Sequence, residues 1–122
     1  MMILIADDDP VHTTLLSARL TSKGHRVTVV HDAIQAWLAA IRRPPDAIIL
    51  DIQMPGGTGR AVLRQLKTNP NTKQVPVIVV SGSINPEDEI TVMELGASEF
   101  LRKPVDLNHL FSSLEKLLTV SP

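Results

Sequence analysis

The residues of this chain that could do chemistry are charged side chains that directly follow short apolar segments. Asp7 and Asp8 follow the first such segment, Asp51 follows another, and Lys103 closes a third. Carboxylates suit a divalent cation such as Mg²⁺, and an ammonium group offsets the negative charge of a phosphoryl group. If the segments are parallel strands of one sheet, their ends lie at the same edge and these side chains converge there. The pattern therefore predicts a site for a cation and a phosphoryl group.

The segments that separate these residues predict such a sheet. Short β-branched or aliphatic segments alternate with longer segments of helical periodicity, which is typical of an α/β fold with a parallel sheet. Two of the short segments are apolar without alternation, as expected for central strands that helices cover on both faces. The predicted strands are 2–6, 26–30, 46–51, 76–80 and 98–102, and the predicted helices are 10–22, 32–42, 58–68, 86–95 and 106–119.

Residues at the predicted helix ends support this assignment. Asp9 and Asn85 each precede a proline, and a capping side chain before proline is typical of a helix N-terminus. Asp106 is the predicted cap of the last helix. Gly24 and Gly96 follow the first and fourth helices, where a glycine in the left-handed conformation commonly ends a helix.

Composition excludes several classes of function. Twelve Lys and Arg against thirteen Asp and Glu give a net charge of −1, which offers no general attraction for nucleic acid or an anionic membrane. The sequence has no cysteine, which excludes disulfide bonds, thiolate metal sites and a thiol nucleophile. Its apolar start is too short for a membrane span and unlike a signal peptide. We expect one domain over residues 1–122, located in the cytoplasm and without direct contact to nucleic acid or membrane.

Four motifs at the predicted strand ends resemble those of the response-regulator receiver family, the CheY-like family of two-component signalling. The motifs are ILIADDDP, AIILDIQMPGGTG, VPVIVVSGS and FLRKP. The spacing of Asp8, Asp51, Ser81 and Lys103 also resembles that of the family, and the resemblance covers essentially the whole chain. It implies a single doubly wound, five-stranded parallel sheet with the flavodoxin-like strand order 2-1-3-4-5 and helices on both faces.

The chemistry of the site agrees with this resemblance. Asp51 is the expected phosphoacceptor, and its attack on phosphorus requires fixed positive charge nearby. Asp8, Asp51 and the backbone carbonyl of Gln53 are the expected ligands of Mg²⁺, or of Mn²⁺. Asp7 would act on the cation through a water. Lys103 would pair with Asp51 before phosphorylation and with a phosphoryl oxygen afterwards.

A second group of residues is expected to convert phosphorylation into a change of shape. The hydroxyl of Ser81 would donate a hydrogen bond to a phosphoryl oxygen and draw its loop towards the site. Phe100 matches the family's aromatic switch position and would rotate inward when Ser81 moves. By resemblance, Pro104 is expected to follow a cis peptide bond, and Gln53 and Ser83 are expected to influence the lifetime of the phosphoryl group.

The resemblance implies a phosphorylation-dependent signalling switch of a two-component system or phosphorelay, and not an enzyme with outside substrates. The expected donor is a phosphohistidine of a histidine kinase or a histidine phosphotransfer protein. The surface of the fourth helix, fifth strand and fifth helix is expected to change and to act on a downstream protein that the sequence does not identify. The chain lacks the paired acids and the row of basic residues of a charged receiver homodimer, so we expect a monomer before activation.

Three other functions fit parts of the pattern. A haloacid-dehalogenase-like phosphohydrolase also forms an aspartyl phosphate, but it carries a second acid two residues after the nucleophile, where this chain has Gln53. A flavodoxin would share the fold, but one Trp, no Tyr and no hydroxyl-rich phosphate loop argue against it. A scaffold that acts without phosphorylation would have no need of Asp51, Ser81 and Lys103 together.

The other polar residues and the glycines near the site are expected to have structural roles. The chain has four histidines without metal-ligand spacing, which we expect to be solvated or to cap helices: His12, His25, His31 and His109. Three glycines after Asp51 lack the pattern of a nucleotide phosphate loop and are expected to give backbone flexibility beside the site: Gly56, Gly57 and Gly59.

Overall fold

The structure, a computed structural model, describes residues 1–54, 59–82 and 85–119. Five parallel strands form one sheet in the order β2-β1-β3-β4-β5, which confirms the predicted flavodoxin-like topology. The predicted strands and helices are all present. In chain order the elements are β1 (Met2–Ala6), α1 (Pro10–Ser22), β2 (Arg26–Val30), α2 (Ala33–Arg42), β3 (Ala47–Asp51), α3 (Gly59–Thr68), β4 (Val77–Ser81), α4 (Pro86–Glu94), β5 (Glu99–Arg102) and α5 (Leu107–Thr119).

Helices cover both faces of the sheet and form two apolar clusters with it. Helices α1 and α5 pack on one face, and helices α2, α3 and α4 pack on the other. In β3, Ile49 points to the first cluster, whereas Ile48 and Leu50 point to the second. Every residue of β3 and β4 is buried, which explains why these strands are apolar without alternation. Within the described ranges, none of the helices has the length and apolar surface needed to cross a lipid bilayer.

The strand register brings the ends of the central strands to one edge of the sheet. Ala6 of β1 pairs with Leu50 of β3, so the residues that follow them, Asp7 and Asp51, emerge side by side. Ser81 is the last residue of β4 and lies at the same edge. Because all strands are parallel, this carboxyl edge collects the loops that connect strands to helices.

The predicted helix caps are confirmed. Side-chain oxygens of Asp9, Asn85 and Asp106 accept hydrogen bonds from backbone N–H groups in the first turns of α1, α4 and α5. Gly24 and Gly96 have φ angles of 92° and 111°, in the left-handed region where a side chain would be strained. The capped helix α1 starts directly after the acidic residues, which places its first turn over the site.

Gly59 at the start of α3 has a different role from the expected one. Its N–H donates to the carbonyl oxygen of Ile52 at 3.1 Å. A Cβ at this position would overlap the Cα of Ile52 and lie 2.9 Å from the carbonyl oxygen of Asp51. The expectation that Gly59 supplies flexibility is therefore wrong, because close approach of two backbone segments is what excludes a side chain here. Gly56 and Gly57 lie outside the described residues.

Candidate functional site

Three carboxylates meet at the carboxyl edge of the sheet. Asp7, Asp8 and Asp51 each offer an oxygen, and these oxygens lie within 4.8 Å of one another. Asp7 and Asp51 are buried, whereas Asp8 is exposed. Like charges at this separation repel each other, and a divalent cation relieves that repulsion. An all-oxygen donor set of this kind fits Mg²⁺.

Lys103 places a positive charge against two of these carboxylates. Its Nζ donates to Oδ2 of Asp51 at 2.9 Å and lies 3.2 Å from Oδ2 of Asp7. The backbone N–H of Lys103 donates to the carbonyl oxygen of Ser81 at 2.8 Å, and the peptide bond to Pro104 is cis. These contacts fix the residue at the end of β5. The Lys103 side chain is 24% exposed, so an incoming anion can reach the ammonium group.

The pKa values of the two buried acids shift in opposite directions. Burial raises the pKa of Asp51, and the negative charge of Asp7 adds to this effect, which outweighs the hydrogen bonds that Asp51 accepts. Burial also acts to raise the pKa of Asp7, but hydrogen bonds, chiefly from His12, and the charge of Lys103 lower it to about 2. For Lys103 burial acts to lower the pKa, and the carboxylates of Asp51 and Asp7 raise it instead. Asp51 is thus the acid whose negative charge is less well stabilised.

Ser81 and Phe100, the residues of the predicted switch, lie on the neighbouring strands β4 and β5. Ser81 is fully buried at the end of β4. Phe100 is partly buried and packs against the cluster of α2, α3 and α4, with the guanidinium carbon of Arg102 5.1 Å from its ring centroid. Arg102 also lies 3.7 Å from a carboxylate oxygen of Glu89 in α4. A chain of contacts therefore joins the predicted switch aromatic to α4, and the inward rotation of Phe100 stays a prediction.

Gln53 lies beside Asp51. Its backbone N–H donates to Oδ1 of Asp51 at 2.8 Å, and its side chain is exposed. A Cβ added to Gly82 would lie 3.5 Å from Oε1 of Gln53, so the amide reaches towards the end of β4. Metal ligation by its carbonyl and an effect on phosphoryl lifetime stay predictions. Ser83, the other expected determinant of lifetime, lies outside the described residues.

His12 belongs to the site, although the sequence pattern did not reveal it. Its Nδ1 lies 2.7 Å from Oδ2 of Asp7, and its side chain is 15% exposed. The expectation that His12 is solvated or caps a helix is therefore wrong. His31 also contacts Asp7, through Nδ1 at 3.0 Å from the backbone carbonyl oxygen. Asp7 and His12 are separated by a strand-to-helix junction, so neither strand nor helix periodicity places them on a common face. The sequence offers one clue to this contact, because His12 lies in the first turn of a helix that starts beside Asp7 and Asp8.

Known proteins share both the sequence pattern and the fold. Residues 3–115 match the family described as response regulator receiver domain. The response regulator PleD from Caulobacter vibrioides is 39% identical over 115 residues, which cover 94% of this chain and 25% of PleD. Protein PilH from Pseudomonas aeruginosa is 34% identical over 116 residues, which cover 95% of this chain and 96% of PilH. The chain thus spans about a quarter of PleD and nearly the full length of PilH.

A solved structure supports the same relationship. The receiver domain of the sensor histidine kinase PA1611 from Pseudomonas aeruginosa PAO1 is 32% identical, with a TM-score of 0.87 and 96% of each chain covered. That structure has a magnesium ion coordinated in its active-site cleft. A family match that runs from the first strand to the last helix, together with a relative matched almost from end to end, shows that this chain belongs to the response-regulator receiver domain family.

Proposed function

We propose that this chain is a signalling switch that accepts a phosphoryl group on Asp51. The observation that carries the proposal is the buried Asp51 carboxylate, which is hydrogen-bonded to Lys103 and flanked by two further carboxylates. A carboxylate oxygen of Asp51 forms the new bond to phosphorus, and the bond between phosphorus and the donor's leaving group breaks. With a phosphohistidine donor, the leaving group is the imidazole of a histidine kinase or a histidine phosphotransfer protein.

The charges of the site favour this transfer. Two anions approach each other when a carboxylate attacks a phosphoryl group, and fixed positive charge must offset their repulsion. Lys103 contacts Oδ2 of Asp51 at 2.9 Å and is accessible enough to contact a phosphoryl oxygen afterwards. The compact ammonium group on a flexible stem can follow the anion from the carboxylate to the phosphoryl oxygen.

Asp8, Asp51 and the carbonyl of Gln53 would hold Mg²⁺ or Mn²⁺, and Asp7 would act through a water. When bound, the cation neutralises charge on the carboxylates and the phosphoryl oxygens. Two features of the chain favour this division. Asp8 is exposed and can take a direct ligand position, whereas the carboxylate of Asp7 is held by Asp9, His12 and Lys103 together.

Phosphorylation of Asp51 would be transmitted to the surface of α4, β5 and α5. Ser81 would turn its hydroxyl to the phosphoryl group, and Phe100 would move into the space that Ser81 leaves. The contacts from Phe100 through Arg102 to Glu89 support a route to α4. The chain would then act on a downstream protein partner, starting from a monomer, and it would turn over only its own phosphoryl group.

The direct test is intact-mass analysis after incubation with acetyl phosphate, with Mg²⁺ and with a chelator. We expect one phosphoryl adduct that forms only when Mg²⁺ is present. Absence of an adduct with both acetyl phosphate and a phosphorylated histidine kinase would contradict the proposal. A phosphohydrolase would instead release phosphate from outside phosphate monoesters, which a free-phosphate assay without acetyl phosphate detects.

The metal assignment predicts different outcomes for two neighbouring acids. Asp8→Asn should weaken Mg²⁺ binding by about 10-fold or more, because it removes one charge from the ligand set. Asp9→Asn is the matched control, since asparagine caps a helix as well as aspartate does. Asp9→Asn should leave the Mg²⁺ affinity within about twofold of the wild-type value. Calorimetric titration with Mg²⁺ alone measures the affinity of both variants. Equal losses of affinity would show that the net charge near the site, and not ligation by Asp8, determines Mg²⁺ binding.

A further inference from the structure

Three residues hold the carboxylate of Asp7 within the described parts of the chain. Its Oδ1 accepts the backbone N–H of Asp9 at 3.0 Å, and its Oδ2 accepts a hydrogen bond from Nδ1 of His12 at 2.7 Å. Nζ of Lys103 lies 3.3 Å from Oδ1 and 3.2 Å from Oδ2. The Asp7 side chain is 1% exposed. A carboxylate surrounded in this way has one orientation and little freedom to change it.

The contact with His12 is the shortest of these. Because the ionised carboxylate can only accept, Nδ1 of His12 must carry the hydrogen. The other ring nitrogen, Nε2, is buried and has no hydrogen-bond partner in the described parts of the chain. A buried polar atom without a partner costs free energy, and an apolar side chain of similar shape would avoid that cost. Packing alone therefore does not explain a histidine at this position, whereas its hydrogen bond to Asp7 does.

We propose that His12 is a positioning residue for phosphorylation. By donating Nδ1–H to Oδ2 of Asp7, it holds that carboxylate in one orientation beside Asp8 and Asp51. Asp7 then acts through a water, and the direct positions fall to Asp8 and Asp51. The inference rests on the proposed function, because the cation concerned is the one that phosphoryl transfer requires.

Substitutions at position 12 separate the hydrogen bond from the shape of the side chain. His12→Leu removes the donor and also the unsatisfied Nε2, so the fold should tolerate it. His12→Asn keeps an N–H group at the same distance from the backbone as Nδ1. His12→Gln moves the N–H group outward to the position of Nε2 and serves as a second loss variant. His31→Leu is the control, because it removes a hydrogen bond to the backbone of Asp7 without touching the carboxylate.

The first measurement is calorimetric titration with Mg²⁺ alone, at the same pH for every variant. His12→Leu and His12→Gln should raise the Kd for Mg²⁺ by about 10-fold, as is common when a partner of a metal-site carboxylate is lost. His12→Asn and His31→Leu should stay within about threefold of the wild type. In phosphorylation assays the half-saturating Mg²⁺ concentration should rise in parallel, with a smaller fall in rate at saturating Mg²⁺.

The outcomes for His12 and for the proposed function are distinguishable. The positioning role is overturned if both loss variants have the wild-type Kd for Mg²⁺, or if His12→Asn loses as much Mg²⁺ affinity as His12→Leu. The proposed function stands in either case when the wild type accepts a phosphoryl group on Asp51. A wild-type chain that binds Mg²⁺ but is not phosphorylated would overturn the proposed function, and the Mg²⁺ titrations would still report how His12 acts on Asp7.

Discussion

Asp51→Asn should abolish the phosphoryl adduct and leave the fold intact. The amide is almost the same shape as the carboxylate but lacks the anionic oxygen that attacks phosphorus. Intact-mass analysis with acetyl phosphate and Mg²⁺ measures the result. Asp46→Asn is the matched control, because Asp46 precedes the opposite end of the same strand and is exposed. It should be phosphorylated like the wild type. An adduct of wild-type yield in Asp51→Asn would mean that another residue accepts the phosphoryl group.

The same variant should be at least as stable as the wild type at neutral pH in the presence of a chelator. Burial raises the pKa of Asp51 above the ordinary value of an aspartate, so the folded protein holds the proton more tightly than the unfolded chain. The wild type therefore loses stability as the pH rises through the folded pKa, and the amide does not. The advantage of Asp51→Asn should grow as the pH rises through the folded pKa of Asp51 and vanish below a pH of about 4. Urea unfolding at several pH values measures this, and a lower midpoint for the variant at neutral pH would contradict it.

Lys103→Ala should slow phosphorylation by about 100-fold and separate the remaining phosphorylation from the change of surface. The rate falls because a fixed positive charge no longer offsets the repulsion between the two anions. The surface change is lost because no ammonium group ties the phosphoryl oxygen to the end of β5. Intact mass gives the yield after long incubation, and hydrogen exchange of α4, β5 and α5 reports the surface. A normal exchange response in phosphorylated Lys103→Ala would refute this role.

Two further measurements distinguish Lys103 from the metal ligands. Lys103→Ala should bind Mg²⁺ at least as tightly as the wild type, because a competing cation leaves the carboxylates of Asp7 and Asp51. Lys103→Arg keeps the charge but replaces the compact ammonium group with a planar fork. It should recover part of the phosphorylation rate and little of the surface change. Equal rates in Lys103→Arg and Lys103→Ala would show that a positive charge by itself restores nothing, and would contradict the expected partial recovery.

Much of the site could be predicted from the chain because strand ends are local features. Asp7, Asp8 and Asp51 each follow an apolar segment directly, and parallel strands must bring such ends to one edge. The helix boundaries were equally local, since caps such as Asp9 act within a single turn. The strand order was different: it came from the resemblance to receivers, because crossover connections leave no periodic pattern in the sequence.

The sequence by itself thus determined the elements, the acidic edge and the expected phosphoacceptor Asp51. Only the tertiary structure decided how the side chains there contact one another. The bond from His12 to Asp7, the overlap that excludes a side chain at Gly59 and the position of Lys103 between two acids depend on packing across elements. The pKa directions have the same origin, because burial and neighbouring charges exist only once the chain has folded. Spacing along the chain predicts which residues share an edge of the sheet. Contact distances of about 3 Å between their side chains depend on rotamers and on the packing of the core beneath them.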